Sequence, residues 1–104
     1  MPSNELEKLL AESSDPYRRR TAMTAPLWLV KYGDPPDVEA GIANAEVLHA
    51  DPDPLVHKPV GIYLAYAGER LPERLTEFLD QYGDAMPRPA YRIAIRKRKQ
   101  RDGG

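Results

Sequence analysis

Two clusters of basic side chains are the main candidates for a binding site in this sequence. Arg18, Arg19 and Arg20 are consecutive, and residues 86–104 carry seven Lys or Arg against a single acidic residue, Asp102. Residues 34–56 carry six acidic side chains and neither Lys nor Arg. The net charge of −1 therefore conceals a positive and a negative region. This asymmetry indicates a polyanionic partner for the positive region.

The same charged residues also have ordinary structural explanations, which stay open at the level of sequence. An arginine triplet at a helix start is often a solvated face with one or two salt bridges. A basic stretch at the end of the last helix complements the helix dipole, and the acidic stretch is typical of a solvated surface. His49 and His57 do not suggest zinc, since there is no cysteine and no helical i, i+4 histidine pair. We expect no metal and no cofactor.

Length and composition limit the class of protein. A chain of 104 residues with 41% hydrophobic side chains is long enough for one small domain with a modest core. Without cysteine, neither disulfides nor thiolate metal sites are possible. No apolar run has the length needed to cross a bilayer, and residues 1–4 do not begin a secretory signal. We therefore expect a cytoplasmic protein without membrane contact.

Apolar periodicity predicts the helices that must position these groups. Asp15-Pro16 and Asp53-Pro54 are helix starts, each a capping carboxylate followed by an imino acid that needs no amide partner. Pro26 predicts a kink inside the second helix, and Pro59 predicts either a kink or a late start in the fourth. Gly68 predicts a left-handed helix end. The helices are expected at about 4–12, 16–32, 36–49, 54–67, 70–83 and 87–99, followed by a frayed tail over 100–104.

No strand alternation occurs, so the sequence predicts an all-α domain of five or six antiparallel helices. Asp15-Pro16 with Arg20 and Asp53-Pro54 with Lys58 repeat the same spacing 38 residues apart, close to the length of a HEAT-type repeat. We interpret the chain as a single HEAT-like fragment of an α-α superhelix. Its helix pairs would cover 16–50 and 53–84, with one helix before them and a terminal helix at 86–99.

Several short motifs, in order and at matching spacing, resemble the C-terminal part of the DNA alkylation repair family, helical-repeat glycosylases that remove alkylated purines. In that family an aromatic precedes paired arginines, and a later helix has a sequence close to Val-Gln-Lys-Ala-Val-Gly. The matching segments in this chain are Tyr17-Arg18-Arg19-Arg20-Thr21-Ala22, residues 27–34, Asp53-Pro54, Val56-His57-Lys58-Pro59-Val60-Gly61, Phe78-Leu79-Asp80, Met86-Pro87-Arg88 and residues 91–95.

The chain also departs from the family pattern. Tyr17 and Ile62 stand where the family usually has Trp, Pro59 replaces Ala, and Ala65-Tyr66 replaces a charge pair. The family's catalytic carboxylate lies upstream of the matched region, and Glu5, Glu7 and Glu12 are in no matching motif. No catalytic residue is therefore assigned, and the sequence does not decide whether the chain is an enzyme.

The resemblance implies a concave face whose basic helix ends follow the phosphates of DNA, with little recognition of bases. We expect a truncated or diverged relative that acts as a non-catalytic module for binding duplex DNA, whether intact or damaged. One alternative is a self-associating or protein-interaction module, and another is a glycosylase part completed by a partner chain. The residues expected to bind DNA are Tyr17, Arg18, Arg19, Arg20, Lys58, Arg88, Arg92 and Arg96.

Overall fold

The computed structural model describes the backbone of residues 3–102 and the side chains of residues 5–96. This part of the chain contains seven α-helices and one 3-10 turn, and no strand. The all-α helical-repeat prediction is confirmed. The helices are α1 (Ser3–Ala11), α2 (Pro16–Thr24), α3 (Leu27–Tyr32), α4 (Pro35–Leu48), α5 (Pro54–Arg70), α6 (Pro72–Tyr82) and α7 (Arg88–Asp102), with the 3-10 turn at Gly83–Ala85.

The two Asp-Pro helix starts are confirmed by their hydrogen bonds. The Asp15 carboxylate accepts from the Tyr17 amide at 2.9 Å, and the Asp53 carboxylate accepts from the Leu55 amide at 3.0 Å. A proline occupies the first turn of both helices, where a missing amide costs no hydrogen bond. The repeated sequence therefore begins two helices in the same way, α2 and α5.

The two prolines expected inside helices behave differently from each other. Pro26 does not kink one long helix but ends it: α2 stops at Thr24, and a separate α3 begins at Leu27. Pro26 has ψ near 7°, outside helical geometry, and it has no amide to continue the ladder. The predicted single helix over 16–32 is therefore wrong. Pro59, in contrast, is buried inside a continuous α5, so the predicted late start at Lys58-Pro59 is wrong as well.

Two helix ends also differ from the prediction. Gly68 does not end α5, which continues to Arg70. Its missing side chain instead allows close packing, because a Cβ at Gly68 would collide with the Leu75 side chain of α6. At the other end of the chain, α7 extends to Asp102, beyond the predicted end at Lys99. Fraying of residues 100–104 stays a prediction, and residues 103–104 lie outside the described residues.

The helices form two layers, and α5 lies in the middle of one of them. Helices α2, α3, α5 and α7 pack side by side in one layer, and α1, α4 and α6 form the other. The core between the layers is apolar, and its largest fully buried side chains include Tyr63, Phe78 and Met23. The Cα radius of gyration is 12.6 Å, close to the roughly 13 Å expected for a compact chain of this length.

Polar contacts fix the helices in place. The buried Tyr63 hydroxyl donates to the Val38 carbonyl of α4 at 2.9 Å, and burial raises the pKa of Tyr63, with smaller contributions from nearby carboxylates. Arg74 of α6 bridges Glu39 and Glu46 of α4 at 3.0 and 3.1 Å. No described helix is long and apolar enough to cross a membrane.

Candidate nucleic-acid interface

A basic groove follows the outer side of α5 and consists of two adjoining cavities. The first, of about 390 Å³, lies between α2, α3 and the first half of α5. The second, of about 240 Å³, lies between α5 and α7. Ile62 lines both cavities, so they adjoin at this residue. The residues lining the groove are Arg20, Thr24, Leu27, Pro54, Leu55, Lys58, Pro59, Ile62, Ala65, Tyr66, Ile93 and Arg96.

Arg20 and Lys58 line the first cavity from opposite sides. Each residue is five positions after the aspartate that caps its helix, so the repeated sequence places them at equivalent points of α2 and α5. Both side chains are exposed. Two cations facing one apolar cleft can hold the phosphates of a strand while its sugars contact the apolar wall.

The second cavity adds a third cation and an aromatic ring. Arg96 lies at its edge, and its apolar lining includes Tyr66 and Ile93. Close approach of α5 and α7 creates this lining, since a Cβ at Gly61 would be only 2.7 Å from the Ala90 carbonyl oxygen. Arg88 and Arg92, both exposed, precede Arg96 at intervals of four residues and so share its face of α7.

Tyr66 of the groove, and Lys31 beside it, are residues that the sequence did not assign to DNA binding. The Lys31 ammonium lies 4.6 Å from the centre of the Tyr66 ring, a cation–π contact that brings the positive charge of α3 next to α5. A Lys four residues after Leu27 lies on the same helix face, and this spacing is the one sequence signal that could have identified it. Tyr66 follows Ile62 by one turn of α5. An aromatic ring is therefore present next to Ile62, the position at which the family usually has Trp.

The arginine triplet divides into three roles. Arg20 faces the groove. The Arg19 guanidinium instead lies between α2 and the turn before α5, with Nε 2.7 Å from the Asp51 carboxylate and Nη1 3.1 and 3.0 Å from the Ser13 and Ser14 carbonyl oxygens. Its side chain is only 18% exposed.

Arg18 and Tyr17 are the other two residues of α2 that were expected to bind DNA. Arg18 is 69% exposed and makes only a long contact of 3.9 Å with Asp15. It falls on a different face of α2 from Arg20. Tyr17, 66% exposed, precedes Arg20 by three residues and therefore lies on the groove side of α2. The structure thus brings Arg20, Lys58 and Arg96 to one groove, with Tyr17 on the same face of α2 as Arg20. The side chains of residues 97–101 lie outside the described residues.

The histidines contact backbone carbonyls. His49 Nδ1 lies 2.6 Å from the Glu46 carbonyl oxygen, and His57 Nε2 lies 2.7 Å from that of Asp51. Among the described residues, no group of three or more His, Cys, Asp or Glu is arranged to hold a metal ion.

Comparison with known proteins identifies the lineage. The model of the family described as DNA alkylation repair enzyme matches residues 3–97, which is most of the chain and extends upstream of the motifs noted in the sequence. Searches of curated proteins and of solved structures give no significant match. The family match covers α1 to α6 and the part of α7 that lines the groove. The chain therefore belongs to the DNA alkylation repair enzyme family.

Proposed function

We propose that this chain is a HEAT-like helical-repeat module that binds duplex DNA along the basic groove and does not itself cleave the glycosidic bond. The convergence of Arg20 and Lys58 on one cleft, with Arg96 in the adjoining cavity, carries this proposal. Family membership supports DNA as the polyanion. The proposal also assigns phosphate contacts to Arg88 and Arg92, which lie nearer the start of α7 than Arg96. It further treats the two layers as a single domain.

The chemistry of the groove supports binding rather than excision. Removal of an alkylated purine requires a carboxylate close to the positive charge that develops on the sugar. The described groove residues are cationic, apolar or hydroxyl-bearing, and such side chains bind phosphates and sugars. In the proposed role the module holds DNA, and a carboxylate for any excision would come from another chain.

Salt-dependent binding of duplex DNA tests the proposal. A fluorescein-labelled duplex should bind with an affinity that falls steeply between about 50 and 200 mM salt. Arg20→Ala and Lys58→Ala should each weaken binding and reduce the slope of log affinity against log salt by about 0.9. Lys8→Ala is the matched control, because it removes one exposed charge from α1 in the other layer.

Three results would contradict parts of the proposal. Absence of binding at low salt, or affinity that does not change with salt, would rule out the DNA-binding role. Equal losses of DNA affinity for Lys8→Ala and Lys58→Ala would show that the groove is not the DNA-binding site. Release of free base from alkylated DNA by the purified chain would show that it is a complete glycosylase.

A self-associating module is the second candidate, since Leu6 and Leu9 of α1 are 54% and 59% exposed. Two neighbouring leucines on one helix can pack against a second copy. Sedimentation equilibrium distinguishes the two functions. A dimer that dissociates on Leu6→Asp, together with no binding of DNA, would favour self-association.

A further inference from the structure

Two large aromatic side chains lie exposed next to each other on α3. Trp28 is 70% exposed and Tyr32 is 68% exposed. Their ring centres are 4.5 Å apart with an angle of 50° between the planes. The two residues are one turn apart in sequence, so they form a single aromatic patch along the helix. A patch of this kind is more than the scattered apolar exposure of an ordinary surface.

Positive charge from the proposed DNA site lies beside this patch. Leu27, the residue before Trp28, lines the first cavity together with Arg20 and Lys58. Lys31, the residue before Tyr32, reaches across to Tyr66 in the second cavity. The aromatic patch therefore borders the basic groove along the length of α3. Aromatic rings beside a cationic track are the combination with which proteins hold single-stranded nucleic acid.

The helix that carries the patch is fixed from behind. Arg70, at the end of α5, donates to the Val30 carbonyl oxygen at 3.1 Å and to the Gly33 carbonyl oxygen at 2.6 Å. These bonds satisfy carbonyls in the last turn of α3 and its cap, which have no partner within the helix. Because α3 has only six residues, it depends on such contacts, and they hold Trp28 and Tyr32 in a defined position.

From this arrangement we infer that the Trp28–Tyr32 patch stacks an unpaired nucleobase, so that the module prefers DNA with a single-stranded segment to fully paired duplex. In the interior of a duplex both faces of each base are covered by neighbouring bases, whereas an unpaired base can offer a face to a protein ring. The groove holds phosphates of either DNA form, while the patch distinguishes between them. The inference rests on the proposed DNA-binding function and adds the form of DNA that is preferred.

Tryptophan fluorescence measures base stacking on the patch directly. Trp28 is the only tryptophan of the protein, so its fluorescence reports on the patch alone. A 12-nucleotide single strand should quench this fluorescence. The same strand made entirely of abasic sites should bind through its phosphates without comparable quenching. This pair of ligands separates stacking from electrostatic binding.

Variants test whether the patch sets the preference. A duplex with a four-nucleotide gap should bind more tightly than the intact duplex. Trp28→Ala should remove most of this preference, lowering affinity for the gapped duplex on the order of tenfold to one-hundredfold. Trp28→Phe should retain part of it. Val47→Ala, which trims another exposed apolar side chain, is the control and should change nothing.

The outcomes distinguish this inference from the function on which it rests. Equal affinity for gapped and intact duplex, with no quenching, would overturn the stacking site and leave duplex binding in place. Binding of neither DNA form at low salt would overturn both. A Trp28 fluorescence change that depends on protein concentration without DNA would instead identify the patch as an interface between copies.

Discussion

Replacement of Arg19 should lower the stability of the fold, whereas replacement of Arg20 should weaken DNA binding, although the two are adjacent arginines of one helix. In Arg19→Ala the protein loses the contact of 2.7 Å to Asp51 and two hydrogen bonds to the Ser13 and Ser14 carbonyls. The Asp51 carboxylate, whose side chain is only 7% exposed, then has no cation. We therefore expect Arg19→Ala to destabilise the fold and Arg20→Ala to leave it intact.

The magnitude follows from the burial of the pair. Hydrogen bonds to charged groups contribute about 1.5–3 kcal/mol each when one partner is removed, and an unpaired charge in a fully buried pair costs about 3–5 kcal/mol. Water entering the space left by the Arg19 side chain, which is partly exposed, lowers this cost. We expect a loss of about 2–4 kcal/mol out of a total of about 5–15 kcal/mol, which corresponds to a Tm lower by roughly 10–25 °C. Arg20→Ala, at an exposed position, should change stability by less than about 0.5 kcal/mol.

Thermal unfolding followed by circular dichroism measures the first effect, and DNA binding at a temperature where both variants are folded measures the second. Arg19→Ala should bind DNA within about twofold of the parent chain, whereas Arg20→Ala should bind more weakly with a reduced salt slope. A double-mutant cycle of Arg19→Ala with Asp51→Asn should give a coupling of about 1–3 kcal/mol. A Tm for Arg19→Ala within measurement error of the parent, or a larger loss of DNA affinity in Arg19→Ala than in Arg20→Ala, would refute the reasoning.

Two further predictions concern the packing of α5, and a third concerns the buried carboxyl group of Glu7 in α1. Gly61→Ala would place a methyl 2.7 Å from the Ala90 carbonyl oxygen, so it should lose about 1–3 kcal/mol in urea unfolding; an unchanged midpoint would show that α5 and α7 separate easily. Tyr63→Phe removes a buried hydrogen bond to the Val38 carbonyl and should cost about 1–2 kcal/mol, and a neutral result would mean that the carbonyl finds another donor. Burial raises the pKa of Glu7 above its ordinary value of 4.5, so the folded state holds this proton to higher pH than the unfolded chain does. The contribution of Glu7 to the free energy of unfolding therefore falls as the pH rises from 4.5 through the raised pKa. Glu7→Gln should raise the Tm at pH 7 by a few degrees and flatten the dependence of Tm on pH over that window, while an unchanged profile would contradict the assignment.

Local chemistry made part of this structure predictable. The Asp15 and Asp53 caps depend on residues two positions apart, and such short-range signals are visible in a sequence. The equivalence of Arg20 and Lys58 followed from a repeated spacing, and the structure places both at one cleft. The all-α class followed from apolar periodicity alone.

Contacts between distant segments explain what the sequence did not reveal. Nothing near Arg19 in the chain indicates that its partner is Asp51, 32 residues away. Likewise, Lys31 meets Tyr66 only because α3 packs on α5. Pro26 and Pro59 present the same local signal, yet one ends a helix and the other is accommodated inside one. The Pro59 ring is buried against its neighbours, and such packing can offset a lost backbone hydrogen bond.

The central position of α5 has a consequence for how the domain unfolds. In a long repeat array each unit contacts only its neighbours, and unfolding spreads from the ends. Here α5 contacts α2, α3, α4, α6 and α7, so five of the other six helices lose packing once α5 is lost. The amides in the middle of α5 should therefore exchange with deuterium only through global opening, and those near both ends of the chain should exchange earlier. A small helical-repeat fold built in this way behaves as one cooperative unit, and its groove exists only when all of that unit is folded.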